Sequence, residues 1–349
     1  MRYVRIIDTP GIIKNSNQTL TDYDTFKEKI LGYGEGGSLE YGLEHYLKYE
    51  TETIVYSLID KSGAYKYLFS KDYLSSFDII FVNSINFLFE NQALLHELKK
   101  KSLVIVWDGI FKDYSELKHS YHAVLTCSED IKRKYHKLNV PSYYLPFSYD
   151  NRLDEILKVE QSKVKHERCA FIGGINLGKQ SHYQRIDTIG QIQKEIDLYL
   201  KIGGKRNLKL LYLLLRKRQV ALHYFNISRK NIATVHGLDY HKKILEYRGV
   251  INRHLDNILT PSNIRLFEVT GLGRVLITDR LNGLNKLFTE GEEILAYSNT
   301  NELLEKIRIV TYDKDYSKYL CRNARIRTLK DYSIQNRCLK FNDIIRLLG

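Results

Sequence analysis

Apolar residues occur along the chain in short runs that alternate with longer stretches of mixed apolar and polar residues. In the first half these runs are compact and rich in β-branched residues, as is typical of strands buried on both faces. We predict six strands there, at residues 2–7, 53–58, 79–82, 103–106, 123–126 and 143–145. We predict helices between them at residues 39–48, 91–100 and 130–138. This alternation of strands and helices indicates a parallel sheet with helices on both faces.

The polar segment 150–167 separates this half from a second series of similar elements. It has helical character and no strand signal, and the apolar stretch Arg168-Cys-Ala-Phe-Ile172 follows it. We predict further strands at 168–172, 197–202, 220–224, 232–235, 250–252, 274–278 and 293–296, and two final helices at 314–329 and 334–348. The sequence therefore predicts an α/β protein of two Rossmann-like domains, residues 1–160 and 161–349. An option left open is that the last helix packs back on the first domain.

Composition and length fit this interpretation. The chain has 349 residues, of which 43% are hydrophobic and 27% are charged, and these values exclude a disordered chain and a fibrous repeat. The longest apolar run, residues 208–215, is interrupted by Lys209 and is far shorter than the ~20 residues that a membrane-spanning helix needs. Asp8 stands where a secretory signal would continue with apolar residues, so we expect a cytoplasmic protein.

Positive charge is concentrated in the second half. Residues 1–165 carry 22 Lys and Arg against 23 Asp and Glu, whereas residues 166–349 carry 32 against 18. Such asymmetry favours an anionic ligand for the second domain: a phosphorylated small molecule, a nucleic acid or an acidic membrane surface. A basic surface that only aids solubility is the alternative.

Residues 260–273 form the most informative motif of the second half. Thr260 is suited to cap a helix, and Gly271 would end it. The free backbone amides of Ser262 and Asn263 at the start of this helix would form an anion site.

Two side chains of the same predicted helix have matching chemistry. Arg265 adds a guanidinium fork for phosphate, and Glu268 offers a carboxylate that accepts hydrogen bonds from a vicinal diol such as ribose. The helix could therefore hold a nucleoside diphosphate. An ordinary capped helix with a surface Arg and Glu is the alternative.

A glycine pair follows the first predicted strand of the second domain. Gly173 and Gly174 are followed by the cations Lys179 and Arg185. Ligands of open α/β sheets bind at the carboxyl edge of the strands, so these four residues are further candidates for phosphate binding. A loop that only needs flexible glycines is the alternative.

The second half resembles the group-1 glycosyltransferases of the glycosyltransferase-B fold, in particular the spore-maturation-type (CgeB-like) branch. The matching motifs are Asn263-x-Arg265-x-Phe267-Glu268, Leu287-Phe-x-Glu-Gly-x-Glu293 and Val250-Ile-Asn-x-His254. The likeness covers most of residues 100–345, whereas residues 1–60 match only in general pattern.

This resemblance implies two facing Rossmann-like domains and a specific reaction. A sugar would pass from a nucleoside-diphosphate sugar, held mainly by the second domain, to a hydroxyl of a glycan or glycolipid held mainly by the first, in bacterial surface polysaccharide synthesis. Glu268 would hold the ribose hydroxyls, while Arg265, Lys179 and the glycine pair would contact the diphosphate. Many retaining members have a second glutamate eight residues before the ribose-binding one, and here that position is Thr260. Retaining and inverting chemistry therefore both stay open.

Candidate residues of the first domain follow from position alone. Asp108 ends a predicted strand and is a candidate base for the acceptor hydroxyl, with a cap of the following turn as the alternative. Glu40 and His45 share a helix and are a candidate acceptor-binding pair, although a plain helix surface explains them as well. We assign no cofactor and no metal, because Asp22-Tyr-Asp24 and Asp313-Lys-Asp315 lie in polar segments without a preceding buried strand.

Other function classes stay open beside this one. The 27 tyrosines, many of them beside Lys or Arg, are compatible with stacking on nucleic acid, although no nucleic-acid-binding module is recognisable. A catalytically inactive glycan-binding protein is another alternative. Residues 208–215, followed by Arg216-Lys-Arg218, could contact an anionic membrane surface, with a core helix as the alternative.

Overall fold

The structure is a computed structural model of the chain, and it describes residues 1–8, 38–56, 66–203 and 216–349. These residues form two compact units: Met1–Phe147 with Ile334–Gly349, and Ser148–Ser333. The boundary therefore follows Phe147 and not residue 160. The reason is that Tyr149 is fully buried in the second unit, where its backbone amide donates to the Tyr332 carbonyl.

The first unit contains one parallel sheet. Its strands are β1 Arg2–Ile7, β2 Glu50–Val55, β3 Ile79–Asn83, β4 Leu103–Trp107, β5 Ala123–Thr126 and β6 Ser142–Tyr144. They pair in the order β2-β1-β3-β4-β5-β6, every pair parallel. Its α-helices are α1 Ser38–Leu47, α2 Lys71–Leu74, α3 Ile85–Glu90, α4 Gln92–Leu98, α5 Glu129–Lys137 and, from the end of the chain, α13 Ile334–Leu348. The six strands predicted for this half are thus present, the second shifted by three residues at its start.

Helices cover both faces of this sheet, and β1 therefore has buried residues on both sides. Val4 belongs to one apolar core, and its neighbour Tyr3 belongs to another, since successive side chains of a strand point to opposite faces. The core around Tyr3 contains Leu43 of α1 and Phe341 of α13. The C-terminal helix α13 therefore completes the first unit.

The second unit repeats this architecture with five strands in its described part. These are β7 His166–Asn176, β8 Ile196–Gly203, β9 Tyr247–Asn252, β10 Val275–Asp279 and β11 Leu295–Tyr297, all parallel in the order β11-β10-β9-β7-β8. Its α-helices are α6 Arg152–Ile156, α7 Tyr183–Ile192, α8 Arg218–Lys230, α9 Gly237–Glu246, α10 Arg265–Gly271, α11 Thr300–Tyr312 and α12 Lys314–Asp331. The prediction of two parallel α/β domains is confirmed.

Two strands predicted for this unit are wrong. Residues 220–224 lie in α8, where Ala221, Tyr224 and Ile227 are buried at helical spacing. Residues 232–235 form no strand, and Ile232 is 57% exposed. Short apolar runs do not distinguish a strand from a buried helix face, and here the helical period decides.

Two features of the sequence analysis lie outside the described residues: the apolar run 208–215 and the motif Asp22-Tyr-Asp24. Asp313 of the other such motif caps α12, because its Oδ1 accepts from the Tyr316 amide at 2.9 Å. Within the described ranges no helix is both long and apolar enough to cross a bilayer.

Candidate functional site

Gly173 and Gly174 lie inside β7, whereas the sequence predicted a turn there. β7 extends to Asn176, and Gly173 pairs with Leu200 of β8. A Cβ atom built on Gly173 would lie 3.0 Å from Nη2 of Arg265. Glycine at this position therefore leaves room for the Arg265 guanidinium beside the strand.

The helix predicted from Thr260 begins only at Arg265 and has seven residues. Asn263 ends the preceding loop: its Oδ1 accepts from the Arg265 amide at 3.0 Å, and its Nδ2 donates to Asn252 Oδ1 at 2.9 Å. This side-chain turn competes with helix formation, as asparagine commonly does. The amides of Ser262 and Asn263 therefore do not form the start of a longer helix, and that part of the prediction is wrong.

The Arg265 side chain has a defined position and an unused donor. Its Nη1 donates to Asn252 Oδ1 at 3.1 Å and its Nε to the Tyr240 hydroxyl at 3.3 Å. Its guanidinium carbon lies 5.8 Å from the centroid of the Phe171 ring. Among the described residues Nη2 has no hydrogen-bond acceptor, so its two N–H groups are available to an anion.

Glu268 lies one helical turn after Arg265. Its Oε2 accepts from the Tyr240 hydroxyl at 3.0 Å, and its Oε1 lies 3.2 Å from Nε2 of His241. Burial disfavours the charged imidazole, but the hydrogen bond and the charge of Glu268 outweigh it and raise the pKa of His241. Each carboxylate oxygen accepts two hydrogen bonds, so each keeps capacity for one more.

We call this group the Arg265–Glu268 cluster. It consists of Gly173, Tyr240, His241, Asn252, Asn263, Arg265 and Glu268. Asn252 ends β9, and Gly173 lies in the carboxyl-terminal half of β7, so the cluster is at the carboxyl edge of the sheet.

Arg185 and Lys179 do not belong to the cluster. Arg185 is buried, and it donates from Nη1 to the Gly174 carbonyl at 3.0 Å and from Nη2 to the Arg253 carbonyl at 2.6 Å. Burial lowers the pKa of Arg185 to about 10, so the side chain stays charged at neutral pH. Lys179 is exposed in the loop after β7. Arg185 therefore links the ends of two strands, and its guanidinium is already bonded to carbonyl groups.

Asp279 forms a charged group beside the cluster. Its Oδ2 lies 2.7 Å from Nη1 of Arg253, and its Oδ1 lies 2.7 Å from Nδ1 of His254. Burial alone would raise the pKa of Asp279, but the His254 hydrogen bond and the positive charge of Arg253 hold it at about 2. Asn252 connects the two groups, since its Nδ2 lies 3.3 Å from Nδ1 of His254.

In the first unit, Asp108 has the contacts of a turn cap. Its Oδ1 accepts from the Ile110 amide at 2.9 Å, and its Oδ2 accepts from the Lys112 amide at 2.7 Å and from the Tyr135 hydroxyl at 2.5 Å. Asp108 is also buried, at 4% exposure. These contacts favour the structural alternative over the role of a base.

Glu40 and His45 do not form a pair. Both Glu40 carboxylate oxygens lie 3.3 Å from Nη1 of Arg5, and Oε1 accepts from the Tyr3 hydroxyl at 3.1 Å. His45 is exposed and stacks on Tyr41. The two side chains therefore have different surroundings, one a buried ion pair and the other the helix surface.

Three cluster residues were missed by sequence reasoning. Asn252 was part of a recognised motif, and its place at a strand end was the available signal. Tyr240 and His241 lie on α9, more than 25 positions before Glu268, and no spacing rule connects them to it. The described residues contain no group of three or more His, Cys, Asp or Glu side chains arranged to hold a metal ion.

The comparison with family models gives one match. Residues 191–343 match the family described as glycosyl transferase-like, which is less than half of the chain. The matched part contains the whole Arg265–Glu268 cluster except Gly173. A comparison with curated proteins finds no match.

Solved structures with this fold cover the whole chain. Anabaena HepE in complex with UDP-glucose is 12% identical, with 100% of both chains covered and a TM-score of 0.57. Sucrose-phosphate synthase from Thermosynechococcus elongatus is 12% identical, covers 100% of this chain and 99% of its own, and has a TM-score of 0.57. A glycosyltransferase from Rickettsia africae is 11% identical over 99% of this chain and 98% of its own, with a TM-score of 0.54. The two units therefore have the glycosyltransferase-B fold.

Proposed function

We propose that this protein is a glycosyltransferase that moves a sugar from a nucleoside-diphosphate sugar to a hydroxyl of a glycan or glycolipid. The observation that carries the proposal is the Arg265–Glu268 cluster, in which a cation with unused donors and a carboxylate with unused acceptor capacity lie one turn apart. The cluster lies at the carboxyl edge of a parallel sheet, where ligands of such sheets bind.

Each ligand group has a counterpart in the cluster. Nη2 of Arg265 would donate to the diphosphate. Because Gly173 has no side chain, it leaves space beside β7 for the Arg265 guanidinium and the phosphate groups. Glu268 would accept from the two ribose hydroxyls. The Tyr240 hydroxyl bonds to both Arg265 and Glu268 and keeps their spacing fixed.

The comparisons support this choice of substrate class. HepE has been crystallised with UDP-glucose, and the family match covers the helix that carries Arg265 and Glu268. We therefore propose UDP as the first nucleotide to test. The motifs around Asn263 and Leu287 support the spore-maturation-type branch and a role in bacterial surface polysaccharide synthesis. A cytoplasmic location is the expectation from Asp8.

The first unit would hold the acceptor, and donor binding would need no metal. The acceptor would be a glycan or a lipid-linked glycan. Residues 208–218 would supply a peripheral contact with anionic membrane.

The test is calorimetry of the full chain with UDP, GDP and ADP, in buffer containing EDTA. We expect one nucleotide to bind with a dissociation constant in the micromolar to millimolar range. A hydrolysis screen with the matching nucleotide sugars should then release the nucleoside diphosphate slowly. Binding of single-stranded or duplex nucleic acid without any nucleotide binding would contradict the proposal. Binding of glycan without turnover of any nucleotide sugar would favour an inactive glycan-binding protein.

A further inference from the structure

A cavity lies in the second unit, at the amino ends of three neighbouring strands. It encloses about 460 Å³, which is within the usual range of small-molecule sites. Glu167 is the second residue of β7, Arg248 is the second residue of β9, and Arg274 directly precedes β10. The Arg265–Glu268 cluster is at the opposite, carboxyl edge, and a six-residue strand such as β9 is about 20 Å long. The cavity is therefore distinct from the proposed nucleotide site.

The walls of this cavity carry excess positive charge. Six Lys or Arg side chains and two Glu side chains line it, a net charge of +4. Glu167 is shared by Arg248 at 2.8 Å and Lys314 at 2.6 Å, and Glu160 pairs with Arg325 at 2.9 Å. Both carboxylates are thus already engaged by three of the six cations.

Arg274 is a buried cation whose partners are all neutral. Its Nε and Nη2 donate to the Leu245 carbonyl at 3.1 and 2.8 Å, and Nη2 also donates to Ser162 Oγ at 2.9 Å. No carboxylate lies within ion-pair distance of it in the described parts of the chain. Burial lowers the pKa of Arg274, which reflects the cost of an uncompensated charge away from water.

The exposed side of the cavity has a row of three cations, of which Lys318 and Arg322 have little or no compensation from the described residues. Lys314, Lys318 and Arg322 are spaced by four residues along α12, so they lie in one row. Arg322 is exposed and has no hydrogen bond or ion pair within residues 216–349 or the other described ranges. Among the described residues Lys318 pairs only with Asp315, whose side chain is 93% exposed and lies outside the cavity lining.

We propose that this cavity binds a small anion with at least two negative charges, carried by phosphate groups. Lys318 and Arg322 would bind the anion from the exposed side, and the positive charges of Arg274 and Arg248 would attract it from the buried side. Guanidinium groups match the geometry of phosphate oxygens, and Val159 and Leu272 supply an apolar wall for an uncharged part of the ligand. The phosphate could belong to a free metabolite or to a lipid headgroup, since the recognised chemistry is the same.

The test titrates pyrophosphate into the full chain at low salt. The cavity variant Lys318→Gln/Arg322→Gln should bind at least tenfold more weakly than the unmodified protein. The control Arg308→Gln/Lys330→Gln removes the same charge from exposed positions of α11 and α12 outside the cavity, and its affinity should stay within twofold.

Pyrophosphate could also bind the proposed nucleotide site, so the titrations are repeated with Arg265→Gln added to each protein. The loss caused by the cavity variant should persist in that background. Equal binding by the cavity variant and the unmodified protein would overturn the proposal, as would an equal loss in the control. Failure of UDP to bind would contradict the proposed function but would not change the expected loss of pyrophosphate binding in the cavity variant.

Vesicles identify the source of the phosphate. Sedimentation with phosphatidylglycerol vesicles, compared with phosphatidylcholine vesicles, supports a lipid headgroup if the cavity variant loses binding and the control does not. Tight pyrophosphate binding without such a difference supports a free metabolite. If neither pyrophosphate nor anionic vesicles bind in a way that depends on Lys318 and Arg322, the cavity is not an anion site.

Discussion

Buried carboxylates occur in both units, but their partners leave them different capacities. In the first unit, Asp108 has three donors on its two oxygens, and Glu40 faces Arg5 with both of its oxygens. In the second unit, Glu268 has one hydrogen-bond partner on each oxygen, and the neighbouring Arg265 keeps a terminal nitrogen without an acceptor, both among the described residues.

This difference separates structural charges from candidate ligand groups. A carboxylate that satisfies nearby backbone amides or an ion pair stabilises its own unit and has little left for a ligand. A charged side chain that keeps unused hydrogen-bond donors or acceptors, at a place where several elements converge, can bind a ligand. The following variants test that distinction, from the largest expected effect to the smallest.

Glu40→Gln should cause the largest loss of stability. The change removes the carboxylate that faces the buried Arg5 guanidinium, and breaking a buried pair typically costs about 3–5 kcal/mol of unfolding free energy. Urea-induced unfolding measures the change in the free energy of unfolding. Glu44→Gln on the exposed side of α1 is the control and should change stability by less than about 0.5 kcal/mol. Equal losses in the two variants would contradict the structural role of Glu40.

Asp279 should make stability depend on acid pH. Its pKa is about 2 in the folded protein, below the ordinary value of 3.8, so its contribution is complete above pH 3.8 and is lost as the pH falls toward 2. The contribution is on the order of 2 kcal/mol. Urea unfolding of the unmodified protein and Asp279→Asn should therefore differ at pH 5 and converge near pH 2. A difference that does not change with pH would show that the carboxylate charge is unimportant.

Glu268→Gln and Arg265→Gln should weaken UDP binding by about 1–3 kcal/mol each, or roughly 5- to 150-fold. Each removes a charged hydrogen-bonding group from the Arg265–Glu268 cluster. Calorimetry measures the affinity, and thermal unfolding shows that the fold is retained. Arg308→Gln, at an exposed position of α11, is the matched control. Unchanged affinity in both cluster variants would remove the proposed donor site.

Asp108→Asn should lower stability by about 1–2 kcal/mol and leave UDP affinity within twofold. The neutral amide is a weaker acceptor for the Ile110 and Lys112 amides. Sugar transfer, measured with a saturating donor, should fall little. A tenfold loss of transfer with unchanged stability would instead make Asp108 a base.

His45→Ala should have the smallest effect. The side chain is exposed and contacts only its helix neighbours Tyr41 and Tyr46 in the described part of the chain, so stability should change by less than about 0.5 kcal/mol. The Michaelis constant for the acceptor is the discriminating measurement. A tenfold increase would restore His45 as an acceptor-binding residue.

The sequence predicted most strands because buried parallel strands consist of compact apolar runs. β1 and β5 have the predicted bounds. Residues 220–224 misled this reasoning because their apolar residues fit both a strand and one face of α8.

The candidate site was predictable only where its residues are neighbours along the chain. Arg265 and Glu268 are one helical turn apart, and their chemistry was evident from the motif. The later start of α10 was not evident, because it depends on a hydrogen bond from the Asn263 side chain in a loop to Asn252 at the end of β9. The partnership of Glu268 with Tyr240 and His241 likewise depends on how α9 packs, which no local pattern encodes.

The position of α13 has a consequence for the order of folding during synthesis. The first unit needs Ile334, Cys338 and Phe341 for its core, yet every residue of the second unit is translated before them. A Cβ atom on Gly42 would lie 2.3 Å from both Cys338 Sγ and Ile334 Cγ2, so α13 fits closely against α1. Until α13 has been synthesised, the first unit therefore lacks the helix that covers the apolar residues of α1. The unit that begins the chain is therefore completed last, and in the meantime its uncovered apolar residues are accessible to chaperones and to aggregation.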